Sequence, residues 1–558
     1  MNTRVRKYGL ALALGLALPL LATHKVFAAA PTDVAAPPDV GGFGAPTTVT
    51  SFLPIFNSLS NQDIEAYNIL FTPLVWPSPT IGMDTQLSLA SKISYSDNDK
   101  IVTITLKHRF WSDGRPVTSD DVLYTLKLIR KLGTSYVLYG FGQMPSIIKK
   151  ATAPDAHTVR LLLKHSVNPT WFTLNALAQI NPVPKQVWDK YSTTYISGHE
   201  TSPKLTSVID GPYKLASFES GRQAVFVENA TYGGPATSVK KFTLTFFPSW
   251  EQQFEALKTG QIQIGQVPTI LYQARAMVSK LQSYKQPNGQ KSFYPFEFKM
   301  VWLNFTNPDV AFFKNREVRR ALQLAISQQY IIDSVYHGNG AASFSAVPPR
   351  PDTYLSPEIK RLNAHPNEVY SPATAEKLLS AQGWNPSASG IREKNGKPLA
   401  FTMSYMSGDA AQKQIALILQ EEWQKVGVEV HLHREPENLL LSQLHPNGKW
   451  QAIMLLWSYA PMFYPSGDGI FNTGGGANFG AFSDPVLDKA IAASTTKAGL
   501  KGLWAYQDRL FHDLPVLFLP VPGYLVKSST CLTNLETYLN PTAYLAPQAL
   551  GIAPSCAQ

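Results

Sequence analysis

The run ITLKHRFWSDGRPVTSDDVLYTLKLI, residues 104–129, limits the folds open to this chain more than any other stretch. Val102, Ile104 and Leu106 alternate with polar residues, so the run begins as a strand with one buried face. Asp113-Gly114 supplies a turn, because both residues tolerate the backbone angles a tight reversal needs. Thr118 is suited to cap a helix, and Asp120 and Asp121 would lie in its first turn, where carboxylates complement the helix dipole. Val122, Leu126 and Ile129 then recur at helical spacing. The same grammar returns in FFPSWEQQFEALKTGQIQIGQV, residues 246–267. There Ser249 and Gln252 form a capping pair, Trp250, Phe254 and Leu257 make an apolar stripe, and Gly260 closes the helix before Ile262 and Ile264. In YSPATAEKLLSAQGW, residues 370–384, Ser371 is the cap, Pro372 takes the first helical position and Gly383 ends the helix. Helices alternating with short strands along most of a chain imply α/β domains.

The first 28 residues carry a basic start (Arg4, Arg6, Lys7), an apolar run from Leu10 to Ala22, and Val26-Phe27-Ala28 before a plausible cut. This is the layout of a secretory signal peptide, and the apolar run falls short of the ~20 residues that span a bilayer. Cleavage near Ala28 and export to a bacterial periplasm are expected. Residues 29–48, rich in Ala, Pro, Gly and Thr, read as a flexible lead-in. The rest of the chain exceeds the ~250–300 residues at which one core stops growing, so several domains are expected. Cys531 and Cys556, close together near the C-terminus of an exported chain, suit one disulfide holding the tail. After removal of the leader, 45 basic residues stand against 39 acidic ones. That balance of +6 forms no basic stripe and argues against nucleic acid as a partner.

Motifs of catalysis are missing. There is no G-x-S-x-G elbow, no H-E-x-x-H and no phosphate-binding loop. GIREKNGK (390–397) and GGGANFG (474–480) lack the glycine spacing such loops need. His431 and His433 are the one close histidine pair, and the alternation of a strand would put both on one side; a solvated strand edge explains them better than a metal. No enzymatic role, cofactor or metal is expected.

Five blocks, in order, resemble the family 5 extracellular solute-binding proteins, the dipeptide- and oligopeptide-binding group of ATP-binding-cassette (ABC) importers. They are LSLASKISYSDNDKIVTITLKHRFWSDGRPVTSDDVLYTLKLI (87–129), NATYGGPATSVKKFTLTFFPSWEQQFEALKTGQIQIG (229–265), REVRRALQLAISQQYIIDSVYHGNGAASFSAVPP (316–349), YSPATAEKLLSAQGW (370–384) and DLPVLFLPVPGYLV (513–526). Two departures stand out. Ser327-Gln328 replaces the family's usual Asp-Arg pair, and Tyr232-Gly233-Gly234 lacks a usual tryptophan; both should affect packing and leave the fold intact. The resemblance implies a two-lobed periplasmic binding protein of type II, of the large three-domain (cluster C) kind, with a hinge. Domain I would comprise 49–77, 206–298 and 513–558, domain II would be inserted at 78–205, and domain III, the second lobe, would span 299–512. The protein would be a monomer that hands a peptide or peptide-like solute to an inner-membrane permease and its ATPase. Haem, a metal chelate, an oligosaccharide or an opine would be the alternative cargo.

The resemblance also implies where the solute would lie. In LLWSYAPMFYP (455–465), the residues Leu456, Trp457, Ser458, Tyr459 and Ala460 match a cleft strand, with Ala460 where peptide-binding members carry an acid for the ligand's ammonium and Met454 where some carry a basic residue. The expected consequence is an aromatic cleft wall, poor at hosting a free peptide N-terminus, because a buried ammonium without a partner costs several kcal/mol in order of magnitude. Asp468 is the candidate replacement acid. Leu59, Ser60 and Asn61 would face the ligand from the first lobe, Tyr136 and Tyr139 from the inserted domain, and His445 matches a polar cleft position.

Overall fold

The computed structural model describes residues 32–38, 48–54, 60–285, 292–445, 447–459, 463–540 and 545–556. The leader, Leu59 and Ala460 lie outside them. The local rules hold where they were strongest. The helix Ser119–Leu132 begins after Thr118, whose backbone N–H and hydroxyl both donate to the Asp121 carboxylate, at 2.9 and 3.3 Å. Val122, Leu126 and Ile129 are buried beneath it. In the helix Trp250–Thr259, Ser249 Oγ accepts the Gln252 N–H at 3.3 Å, and Gly260 at φ +77° ends the helix. The helix Pro372–Ala381 departs slightly: the Ser371 hydroxyl donates to Thr374 Oγ1 at 2.7 Å and makes no capping bond to the backbone.

Three larger sheets organise the chain. The first lobe holds Asp33–Ala36, Lys241–Thr245, Gln223–Glu228 and Tyr213–Glu219 in that order. Its first strand is a correction to the flexible lead-in expected over 29–48. Asp33–Ala36 runs parallel to Lys241–Thr245, with Val34 and Ala36 buried. The small apolar residues that read as linker composition fit a sheet edge packed against a core. The inserted domain carries an antiparallel sheet in the order Ala90–Ser96, Ile101–Leu106, Thr158–Leu163, Ile148–Asp155. The second lobe is built on five strands: Glu429–Glu435, Ala400–Met406, Ala452–Ser458, Glu297–Leu303 and Val516–Leu519.

Two segments cross between the lobes. The chain leaves the first lobe after the strand Gln282–Ser283 and enters the second at Glu297; it returns after Leu519 and rejoins the first at Leu525. Phe293 and Tyr524 hold the crossovers together by exchanging two backbone hydrogen bonds, at 2.9 and 2.8 Å. Val516–Leu519 was assigned by sequence to the closing part of domain I. It pairs antiparallel with residues 299–302 and is wholly buried, so it belongs to the second lobe's sheet. Cys531 and Cys556 are disulfide-bonded, with Cα atoms 5.6 Å apart. Among the described residues no helix is long and apolar enough to cross a membrane.

The departures from the motif pattern are absorbed by packing. Gln328 is buried, donates to the Ser343 and Phe518 carbonyls at 2.7 and 3.0 Å and accepts the Ser343 N–H at 2.8 Å, while Ser327 caps the helix Gln328–Ser334. The Arg109 guanidinium lies 5.4 Å from the Tyr232 ring centroid.

Candidate functional site

A cavity of about 410 Å³ opens between the two lobes. The first lobe contributes the start of the helix Trp250–Thr259, the end of the strand Ile264–Val267, and Ile270 beyond it. The second lobe contributes Lys299, Tyr336 and the turn that leads into the helix Ala410–Lys425, with Glu437 at the rim. Pro522 and Tyr524, on the returning crossover, complete the lining. Such a volume falls near the low end of the ~300–1,000 Å³ usual for small-molecule sites.

Its chemistry is mixed. Trp250 is half-buried and Ile270 exposed, giving the first lobe an apolar lip. Gln266 is buried, and its carbonyl Oε1 has no hydrogen-bond partner among the described residues. Opposite, Lys299 is 3% exposed, and its Nζ donates to Tyr336 Oη at 3.3 Å. Burial works against the lysine's charge, but Tyr336, Asp409 and Glu297 more than offset it and hold its pKa above the ordinary lysine value. Burial likewise pushes the Tyr336 phenol up. Asp409 caps the helix Ala410–Lys425, its carboxylate accepting the Gln412 N–H at 3.0 Å.

A second contact joins the inserted domain to the second lobe. Asn175 sits in a π-helical turn, Phe172–Leu177, a wide turn frequent at functional sites. Its Oδ1 accepts the Tyr464 N–H and its Nδ2 donates to the Tyr464 carbonyl, both at 2.8 Å. Asn168 Nδ2 donates to Tyr464 Oη at 3.1 Å and to the Ser494 carbonyl at 2.9 Å, and the Asn168 N–H donates to the Thr495 carbonyl at 2.7 Å. These groups are buried, so the two bodies are clasped by satisfied polar contacts.

Of the cleft residues singled out from the sequence, none whose side chain the structure describes lines the cavity. Leu456 stands directly opposite Lys299 in the ladder and Ser458 opposite Glu297, so both share the lysine's face of the sheet. Trp457 pairs with Phe298 and points to the other face, where it packs half-buried with its indole N–H unpartnered among the described residues. Tyr459 is a correction to the expected aromatic wall: it is 2% exposed, its ring lies 5.9 and 5.8 Å from Phe296 and Phe298, and its hydroxyl donates to the Ala346 carbonyl at 2.8 Å. It is core of the second lobe. Phe463 and Tyr464 are fully buried at the clasp. Tyr136 is also core, donating to Gln179 Oε1 at 3.0 Å, while Tyr139 is 39% exposed; neither lines the cavity. Ser60 caps the helix Asn61–Leu70, accepting the Asp63 N–H at 3.2 Å, and is also absent from the lining; Asn61 is that helix's first residue, and its side chain lies outside what is described. His445 is exposed in a loop, and Asp468 lies in a half-exposed turn away from the cavity, where burial raises its pKa. His431 and His433 lie on the sheet's edge strand, each beside a glutamate, Glu429 at 3.9 Å and Glu435 at 2.8 Å.

Sequence reasoning missed Gln266, Lys299, Tyr336, Asp409 and Ile270, and read Trp250 as core. One signal was present: Lys299 is the only cation in the apolar run FEFKMVWL, residues 296–303. A lone lysine at a buried strand position asks for a partner.

Comparisons with known proteins agree with this architecture. The model of the bacterial extracellular solute-binding proteins, family 5, matches residues 84–478. The chain is similar to the oligopeptide-binding protein AppA of Bacillus subtilis, 24% identical over 512 residues that cover 89% of this chain and 88% of that one. The structure of that AppA in complex with a nonapeptide superposes with a TM-score of 0.71 at 20% identity, covering 93% of this chain and 99% of that one. NikZ from Campylobacter jejuni in complex with Ni(L-His) gives a TM-score of 0.70 at 19% identity over 91% of this chain and 96% of that one.

Proposed function

Because the chain belongs to the bacterial extracellular solute-binding proteins of family 5, we propose that it captures a peptide or peptide-like solute in the interlobe cavity and delivers it to an ABC permease driven by a partner ATPase. The observation that carries the reading is the cavity itself, lined by both lobes and by the crossover residues Pro522 and Tyr524. A solute there touches surfaces that separate when the lobes part, so it binds the closed state better and draws the equilibrium toward it. The relative crystallised with a nonapeptide supports peptide as the cargo class. The second lobe offers a further feature. The ladder between Ala452–Ser458 and Ala400–Met406 ends at the Ser404–Ile453 pair, so among the described residues the main chain of 454–458 has no strand partner on that side. A free strand edge is what an extended peptide pairs with.

The same reading includes export, with cleavage near Ala28, and action as a monomer. It assigns no catalytic step to the chain. Thermal denaturation with short synthetic peptides tests it. A true solute at 100 times its Kd stabilises the folded state by about 2.7 kcal/mol and is recovered unchanged. Steady product formation, or no shift with any peptide, would count against it. Mass spectrometry of the mature protein reads the cleavage point directly.

A further inference from the structure

We propose that Lys299 is the anion receptor of the interlobe cavity and that the chain therefore selects solutes bearing a carboxylate or comparable acidic group, with Gln266 Oε1 accepting a hydrogen bond from an adjacent N–H or O–H of the same solute. The inference rests on the reading that the cavity holds a captured solute, and it names which chemistry that solute carries.

The argument starts from an unusual burial. Lys299 is 3% exposed in a strand whose seven residues are all buried. A buried ammonium is normally held by a carboxylate, because removing an ion from water costs several kcal/mol even after the surroundings relax. Here Nζ, with three protons to donate, has one hydrogen-bond partner, the neutral Tyr336 hydroxyl at 3.3 Å, and among the described residues no carboxylate forms an ion pair with it. The nearby acids act at a distance. Asp409 keeps the lysine charged but uses an oxygen on the Gln412 N–H, 3.0 Å away, at its own helix start. Two donor positions on a charged group thus remain for whatever fills the cavity that Lys299 lines.

The first lobe shows the complementary vacancy. Gln266 is 2% exposed and its side-chain carbonyl is buried without a donor. A carbonyl left so is costly, by about 1–3 kcal/mol, and asks for an N–H or O–H. Lys299 belongs to one lobe and Gln266 to the other, and both line the same space. A solute with an acid next to a donor, such as the terminal amide N–H and carboxylate of a peptide, satisfies both at once. Of the acids that line the cavity, Glu251 and Glu437 are exposed at the rim, and Asp409 is half-buried with one oxygen engaged at its helix start.

The test uses the full mature protein and three probe sets: short synthetic peptides with a free C-terminal carboxylate, the same peptides as C-terminal carboxamides, and non-peptide mono- and dicarboxylic acids. Retention is read by native mass spectrometry and affinity by calorimetry. The expected result is retention of free-acid peptides, with the matching carboxamides weaker by about tenfold or more, the order expected for one charge-assisted hydrogen bond. K299M should lose a similar factor toward the free acids and narrow the gap between acid and amide, while K299R should recover part of it. Equal binding of acid and amide by the wild-type protein overturns the lysine assignment and leaves peptide capture standing, whether or not K299M folds. Retention of non-peptide acids alone, sensitive to K299M, supports the assignment and overturns the peptide reading. Retention of nothing overturns both.

Discussion

Replacing Asn175 by Ala should weaken solute binding without a matching loss of stability in the unliganded protein. The carboxamide of Asn175 takes both backbone groups of Tyr464, N–H and C=O, at 2.8 Å each. Tyr464 is fully buried; truncation leaves its N–H without a partner, while its carbonyl keeps the Ser466 N–H at 2.8 Å. A buried N–H left unpaired costs about 1–3 kcal/mol. If inserted domain and second lobe separate when the cleft opens, water satisfies Tyr464 in the open form and the loss falls on closure alone. A cost of 2 kcal/mol then raises the apparent Kd by about thirtyfold, since each 1.4 kcal/mol is a factor of ten. Calorimetry with a retained peptide reads the affinity, and small-angle scattering of the saturated protein reads compaction. G142A should act in the same direction: Gly142 has φ +58°, and a Cβ there would lie 2.6 Å from the Asn175 carbonyl oxygen. Unchanged affinity in N175A, with the whole of about 1–3 kcal/mol appearing as lost stability of the unliganded protein, would show that the clasp never opens and would refute the reasoning.

Three further outcomes follow from the packing. Y459F should cost about 1 kcal/mol in denaturant unfolding, because the buried Ala346 carbonyl loses its donor, and should leave solute affinity unchanged, because Tyr459 is core. Replacing both cysteines by serine should lower stability by about 2–4 kcal/mol, the range for a loop closed at a sequence separation of 25, as measured by the same unfolding curves. Asp210 is buried, and burial pushes its pKa up to about 7 from an ordinary 3.8. Its folded value lies above its unfolded one, so the native state holds the proton more tightly. Its contribution is fully present below about pH 4 and is lost as pH rises through about 7. D210N, which cannot ionise, should therefore gain on the wild type in melting temperature between pH 4 and pH 8, and a flat difference across that range would remove Asp210 from the account.

What could be read from the sequence was local or ordered along the chain. Thr118 with Asp121, Ser249 with Gln252 and the stripe of Val122, Leu126 and Ile129 each specify an element within one or two turns, and each formed. The order of five blocks carried the lobes, because lobes follow from which segments exist and in what sequence. The site was less legible for a geometric reason. Whether Trp457 or Leu456 shares the face of Lys299 depends on register, and a register is set by the partner strand: Lys299 opposite Leu456, Phe298 opposite Trp457. A one-residue slip would reverse both. The aromatic character of 455–465 was real but served the second lobe's core at Tyr459 and the clasp at Tyr464. The clasp itself joins residues nearly 290 positions apart, and no local pattern announces such a contact.

The position of Lys299 gives closure a physical reason to await a solute. Its strand, Glu297–Leu303, is the segment by which the chain enters the second lobe, and it pairs with both Ala452–Ser458 and the returning Val516–Leu519. With the lobes apart, water reaches the cavity and solvates the ammonium. Closing an empty cleft strips that water and leaves two of the ammonium's donor positions without an acceptor, while Tyr336, Asp409 and Glu297 keep it charged. Closing around an anion replaces the lost water with a stronger partner and supplies Gln266 with a donor in the same step. The unfilled donors of the cation thus favour filled closure over empty closure. K299M should therefore lose most of the compaction that an acidic solute produces, and a solute-induced fall in radius of gyration equal to the wild type's would separate the lysine from any role in closing.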